Sequence, residues 1–240
     1  MNDMTTSELA GDYADGPDFN EAHTMDGDME IEFSNELVLL SGRGSLAAEN
    51  VSQLVSEILS RHVETARRGL AFCTTSENSG CSYLAANVAV GVSMAGVRTL
   101  LIDANLREPK VRTYFRPSVE PEGLLQCLED PRVALSDTVT DDVLPNLSVL
   151  YAGGQSAEAG LFASSRAGAV ISEAMRNYDL TIVDCAPSNR SSDVLRIANM
   201  VRYALVVARK NHSYVNDLKK LIADIRQNNG EVLGTYLNDF

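Results

Sequence analysis

LAFCTTSENSGCSYLAANVAVGVSMAG, residues 70–96, decides the fold. An apolar run, LAFC, ends in a polar loop, and the loop opens into an Ala- and Val-rich stretch that closes at Gly96. Strand, glycine-ended loop and helix together make the unit that binds phosphate. Glycine lets backbone N–H groups approach the anion, and the helix N-terminus adds its dipole. Set on the pattern GxxxxGK[ST], Gly80 and Ser82 keep their places, while Cys81 stands where the lysine belongs. Thr75 occupies the place of the first glycine, and Tyr83 follows the loop where a small hydroxyl residue is usual. Thr75, Gly80, Cys81, Ser82 and Tyr83 are the candidate nucleotide-binding residues of this loop.

Outward from the loop, strand and helix patterns alternate. SLAAENVSQLVSEILSRHVE (45–64) has apolar residues at helical spacing. VRTLLID (97–103), LSVLYA (147–152), Leu180–Asp184, ALVVAR (204–209) and VLGTYL (232–237) read as further buried strands. Helices are predicted near Gly123–Leu128 and over Phe162–Asn177, Ser191–Met200 and Tyr214–Asn228. Continuous apolar strands separated by helices predict an α/β fold, a doubly wound, mostly parallel sheet of P-loop NTPase type. Ligands of such folds sit at the carboxyl ends of the strands. Two further loops begin there: LLIDANLREP (100–109), with Asp103 at the strand end, and LTIVDCAP (180–187), with Asp184. Two strand-end acids beside a phosphate loop are what magnesium and an attacking hydroxyl require. Asp103 and Asp184 are therefore the candidate catalytic residues, and with Ser82 the candidate magnesium ligands.

The charge is uneven. Residues 1–36 hold eleven acidic residues and no Lys or Arg, whereas the other 204 residues hold 22 acidic and 20 basic. An acidic stretch of this kind predicts a disordered tail over 1–40, followed by one domain over 41–240. A domain without a basic stripe argues against nucleic-acid binding. No signal peptide and no membrane-length apolar run is read. Cys73, Cys81, Cys127 and Cys185 show no metal spacing, and reduced thiols are expected. His23, His62 and His212 show no ligand spacing either.

The succession TTSEN–GCS–AANVA, LLIDANLREP, PNLSVLYAGG and YDLTIVDCAPSNRSSDVL, in order from about residue 45 to 240, resembles the bacterial tyrosine kinases of capsule and exopolysaccharide systems. That family lies within the deviant-Walker P-loop ATPases. Against its loop TSxxPGEGKST and its motifs IDxDxR and IIDTPP, Ser82, Asp103, Arg107 and Asp184 match. The resemblance adds Arg107 to the nucleotide-binding set. It implies ATP or ADP with magnesium as cofactor and a membrane polysaccharide co-polymerase or chain-length regulator as partner. It also implies a homo-oligomer, and a cytoplasmic protein recruited to the inner membrane through its partner.

The departures cluster in the site. Cys81 replaces lysine, ENSG (77–80) replaces PGEG, and Asn105 replaces the second acid of IDxDxR. The family's oligomerisation pattern E-x-x-R-x-x-R keeps Glu49 and has Ser52 and Val55 where the arginines stand. A C-terminal tyrosine cluster is absent, and Tyr214 and Tyr236 read as structural. Losing the lysine removes a charge-assisted contact worth about 1.5–3 kcal/mol, more in a transition state. The expected function is a degenerate, non-catalytic regulator of surface-polysaccharide export. The alternative is an active tyrosine autokinase or ATPase with an atypical loop, and a third reading is a positioning ATPase. Three further readings concern single residues. Cys81 could be a thiolate paired with Cys185, Lys110 or Arg107 could replace the lost lysine, and RHVETARR (61–68) is a solvated helix end.

Overall fold

The computed structural model describes residues 23–24, 29–42, 44–158 and 160–239. The first 22 residues of the acidic stretch lie outside them. A seven-stranded sheet forms the centre. It comprises β3 (Gly69–Thr74), β4 (Thr99–Ala104), β6 (Thr140–Leu144), β7 (Leu147–Leu150), β8 (Leu180–Cys185), β9 (Tyr203–Arg209) and β10 (Glu231–Asn238). Their spatial order is β10-β9-β3-β8-β4-β7-β6. Every pairing is parallel except β6 with β7. The three central strands β3, β8 and β4 are buried along their whole length, which is why their sequences run apolar without alternation.

Helices cover both faces. One face carries α1 (Val38–Ser41), α2 (Leu46–Ile58) and α3 (Cys81–Met94). Leu70 and Phe72 of β3 pack toward that side. The other carries α4 (Leu124–Glu129), α5 (Ser165–Asn177), α6 (Asp193–Val201) and α7 (Val215–Gln227). There Ala71 and Cys73 of β3 join Ile171, Val194, Ile197 and Leu221. Ser45 caps α2 by accepting from the Ala48 amide (3.2 Å), and Ser164 caps α5 by accepting from the Ala167 amide (3.2 Å). Helix α3 is wedged between the sheet and α2. A Cβ on Gly91 would lie 2.5 Å from a Val55 methyl and 2.8 Å from a Leu39 methyl, so a larger residue there would force these side chains to shift. Beyond α2 the chain makes a π turn over Leu59–Val63, where the buried His62 reaches the Gly69 carbonyl (3.0 Å). The helix end at 61–68 is thus fastened at His62, though its arginines are on the surface.

Two sequence expectations need correcting. The expected tail boundary at residue 40 is too late. Strand β2 (Glu30–Phe33) pairs antiparallel with β1 (His23–Thr24) and β5 (Phe115–Pro117) in a small second sheet. Ile31 and Leu37 are fully buried. The apolar alternation in EIEF and the closely following ELVLL carry enough burial to outweigh the acidic composition. The second correction concerns β7, which is reached by a hairpin, not from a helix. The link Pro145-Asn146 joins β6 to β7, and Asn146 adopts the positive φ (65°) that a tight hairpin link requires. The polar start of β6, Thr140-Asp141-Asp142, hides this strand because it lies at the sheet edge and faces water.

Candidate functional site

A cleft of about 580 Å³ opens at the carboxyl ends of β3, β4 and β8, where the three loops singled out in the sequence converge. Its floor is the loop Ser76–Gly80 and the start of α3. Asn78 (φ 55°) and Gly80 (φ 81°) both take left-handed backbone conformations, which turn the loop back on itself. The loop's carbonyls are held from outside. Arg209 donates to the Asn78 carbonyl (2.9 Å), and the Asn238 amide donates to that of Ser79 (3.1 Å). The His212 ring meets the Glu77 carbonyl (2.8 Å), and Arg190 pairs with the Glu77 carboxylate (2.7 Å). With these carbonyls held from outside, the loop runs into the first turn of α3, whose leading N–H groups have no partner within their own helix. This is the backbone arrangement of an anion cradle.

The side chains fit phosphate less well than the backbone does. Cys81 lines the cleft but is 6% exposed, and burial, then the neighbouring Asp184 charge, push its thiol well above the usual range. Burial therefore works against the thiolate that a helix N-terminus could otherwise favour. Cys185 also lines the cleft and is likewise pushed up by burial, with the Cys73 thiol beside it. All four cysteines are buried, free thiols. Tyr83 forms part of the wall, with its hydroxyl pushed up by partial burial and by Tyr236 and Glu36.

The two acids have different fates. Asp103 is buried and holds a loop: Oδ1 accepts from the Asn105 amide (3.2 Å), and Oδ2 accepts from the amides of Lys110 (3.0 Å) and Val111 (2.9 Å). Burial raises its pKa, and these three amides oppose the rise. Asp184 is fully buried, and no hydrogen bond of ordinary geometry reaches either oxygen. Burial and the Asp103 charge raise it further, although the Ser82 hydroxyl and Cys81 thiol stand close enough to favour the charged form slightly. Of the three expected magnesium ligands only Ser82 lines the cleft, while Asp103 and Asp184 are buried and do not. Among the described residues no group of three or more His, Cys, Asp or Glu is arranged to hold a metal. A cation fits only in company with phosphate oxygens, which is how magnesium is usually bound.

Of the remaining sequence candidates, Thr75 is buried and borders a different, smaller pocket with Ser188, Ser192 and Lys220. Arg107 is not among the residues lining the cleft, and its Nε is buried without a partner. Asn105 lines the cleft and accepts from the Glu108 amide (3.2 Å). Lys110 does line the cleft, with its Nζ 2.5 Å from Glu108. Sequence reading missed Glu36 and Val38, which form a wall of the cleft. Asn87, fully buried in α3, puts them there. It accepts from the Val38 amide (2.9 Å) and donates to the Glu36 carbonyl (3.0 Å). An asparagine inside AANVAV, a helix otherwise apolar on all sides, was the available signal.

No family model matches the chain. The chain is 28% identical over 195 residues to CapB of Staphylococcus aureus, which carries a tyrosine-protein kinase name, covering 81% of this chain and 85% of CapB. It is 28% identical over 160 residues to the similarly named EpsB of Ralstonia solanacearum, of which it spans 21%. With the succinoglycan biosynthesis transport protein ExoP of Rhizobium meliloti it shares 28% identity over 175 residues, 71% of this chain and 22% of ExoP. Among solved structures, the chimerical protein CapA2B2 superposes with a TM-score of 0.76 over 85% of this chain and 90% of that one, at 23% identity. The kinase domain of the Escherichia coli tyrosine kinase ETK superposes equally well, with a TM-score of 0.76 over 85% of this chain and 79% of that one, at 22% identity. The septum site-determining protein MinD of Pyrococcus horikoshii, complexed with Mg-ADP, gives 0.59 over 71% of this chain and 69% of that one, at 19% identity.

Proposed function

We propose, for a chain homologous to the bacterial tyrosine kinases of capsule and exopolysaccharide systems and folded as the deviant-Walker P-loop ATPases are, a non-catalytic role as partner of a membrane polysaccharide co-polymerase. The observation that carries this reading is the pair Cys81 and Asp103. The position of the phosphate lysine is a buried, neutral thiol. Both oxygens of the first strand-end acid are engaged by loop amides. Phosphoryl transfer rests almost wholly on positioned positive charge around the transferring oxygens. The cleft instead carries Glu36, Glu77 and Glu108 against Lys110 and Arg209.

In this role the protein works in the cytoplasm and reaches the inner membrane through its partner. No helix of the described residues is long and apolar enough to cross a membrane. A homo-oligomer would not form through the family's two arginine positions. They are Ser52 and Val55 here, and Val55 is buried against Gly91. The experiment is complementation of a deletion strain. Surface polysaccharide should be lost in the deletion and restored by the wild type and by Asp184→Ala alike. Normal polysaccharide in the deletion strain would remove the functional assignment, and failure of Asp184→Ala alone would indicate catalysis.

A second reading, an active autokinase or ATPase, draws on the N-terminus of α3 at the cleft and the Asp184 carboxyl, whose oxygens have no hydrogen bond of ordinary geometry. These would receive a Mg-nucleotide if a partner residue supplied the missing charge.

A further inference from the structure

We infer that Lys110, on the loop after β4, supplies the cationic contact to the phosphates of a nucleoside diphosphate bound in the cleft, in place of the lysine that Cys81 has displaced. This rests on reading the cleft as a phosphate cradle, not on whether the protein transfers phosphate.

The backbone of Lys110 is fixed on both sides. Its N–H donates to Asp103 Oδ2 (3.0 Å), and its carbonyl accepts from the Thr113 amide (2.9 Å) and hydroxyl (2.7 Å). The side chain, in contrast, reaches the cleft that also contains Gly80, Cys81 and Ser82. A lysine whose main chain is pinned and whose long side chain is partly exposed brings a cation to a ligand with little backbone ordering cost. Asp103 thereby acts as a positioning residue for Lys110.

Nζ lies on the Glu108 carboxylate, and both side chains are substantially exposed (41% and 49%). Exposed pairs of this kind contribute little, so a phosphate dianion competes for the ammonium. The other cations near the loop are already engaged in shaping it. Arg209 holds the Asn78 carbonyl and Arg190 holds Glu77, while Arg107 does not line the cleft. The acidic wall of Glu36, Glu77 and Glu108 limits how much negative charge one relocated lysine can offset. That favours a diphosphate over a triphosphate.

The test is calorimetric titration of ADP, with and without magnesium, into the full chain at low salt. Wild type should bind, and Lys110→Ala and Lys110→Gln should weaken binding by about ten- to a hundred-fold. Glu108→Gln should tighten it by releasing the ammonium, and Cys81→Lys should restore binding to the Lys110→Ala background. Melting curves of each variant separate lost contact from lost fold. Equal ADP affinity in wild type and Lys110→Ala would overturn the role of Lys110 and leave the cradle standing. No ADP binding by wild type or by Cys81→Lys would overturn both.

Discussion

Replacing an ammonium by a thiol at residue 81 removes a positive charge from a place walled by carboxylates, and the consequence falls on Asp184. Without a cation beside it, a carboxyl buried under the loop and next to Asp103 favours its proton. The native chain then keeps a proton that the unfolded chain releases above about pH 4. Stability therefore falls as pH rises from that point through the raised pKa of Asp184, opposite to a salt-bridged aspartate. Asp184→Asn abolishes this titration. Melting temperatures measured from pH 5 to 9 should decline less in Asp184→Asn than in wild type. Parallel curves would show that Asp184 is already charged and compensated in the native state.

At the scale of elements, the segment 29–41 has the most at stake in a single side chain. Asn87 bonds it at Val38 and Glu36 and is tied to its own helix by a further bond to the Tyr83 carbonyl (3.0 Å). Asn87→Ala leaves the Val38 amide and Glu36 carbonyl without these partners. It should lower stability by about 1–3 kcal/mol. Amide exchange should accelerate first in 30–41, while β3, β4 and β8 stay protected. Uniform acceleration across the sheet would contradict the local role. This segment and the core strands also show what sequence reveals. Strands buried on both faces, such as LTIVDC, are continuously apolar and legible without context. Strand β2 alternates over only four residues within acidic surroundings, and its partner β5 lies more than 80 positions later. β6 shows water its polar residues. The site divides in the same way. Gly80, Ser82 and the strand-end acids follow from position along the chain. The engagement of Asp103 does not, because it depends on the chain returning at Lys110 and Val111. Thr75 was misplaced for a related reason: motif spacing fixes its position in the chain but not the side of β3 to which its side chain turns.

Across the whole molecule, the chain has a P-loop NTPase-like architecture, and the charges at its loops depart from the motif pattern. The sheet order, the helix after the loop and the outward-held carbonyls make up that architecture. The lysine is gone, the second acid of the β4 motif is Asn105, and Asp103 secures a loop. Under the proposed function, a cradle that holds phosphate without transferring it suits a subunit that responds to nucleotide, or simply to its partner, without turning it over. The most direct measurement is transfer of labelled phosphate from ATP, to water and to tyrosine, by the purified full chain with and without the cytoplasmic segment of the proposed co-polymerase partner. Wild type and Asp184→Ala should both stay at background under all conditions. Phosphotyrosine or released phosphate formed by wild type and abolished in Asp184→Ala would contradict the non-catalytic assignment and make the protein a kinase or ATPase with a displaced lysine.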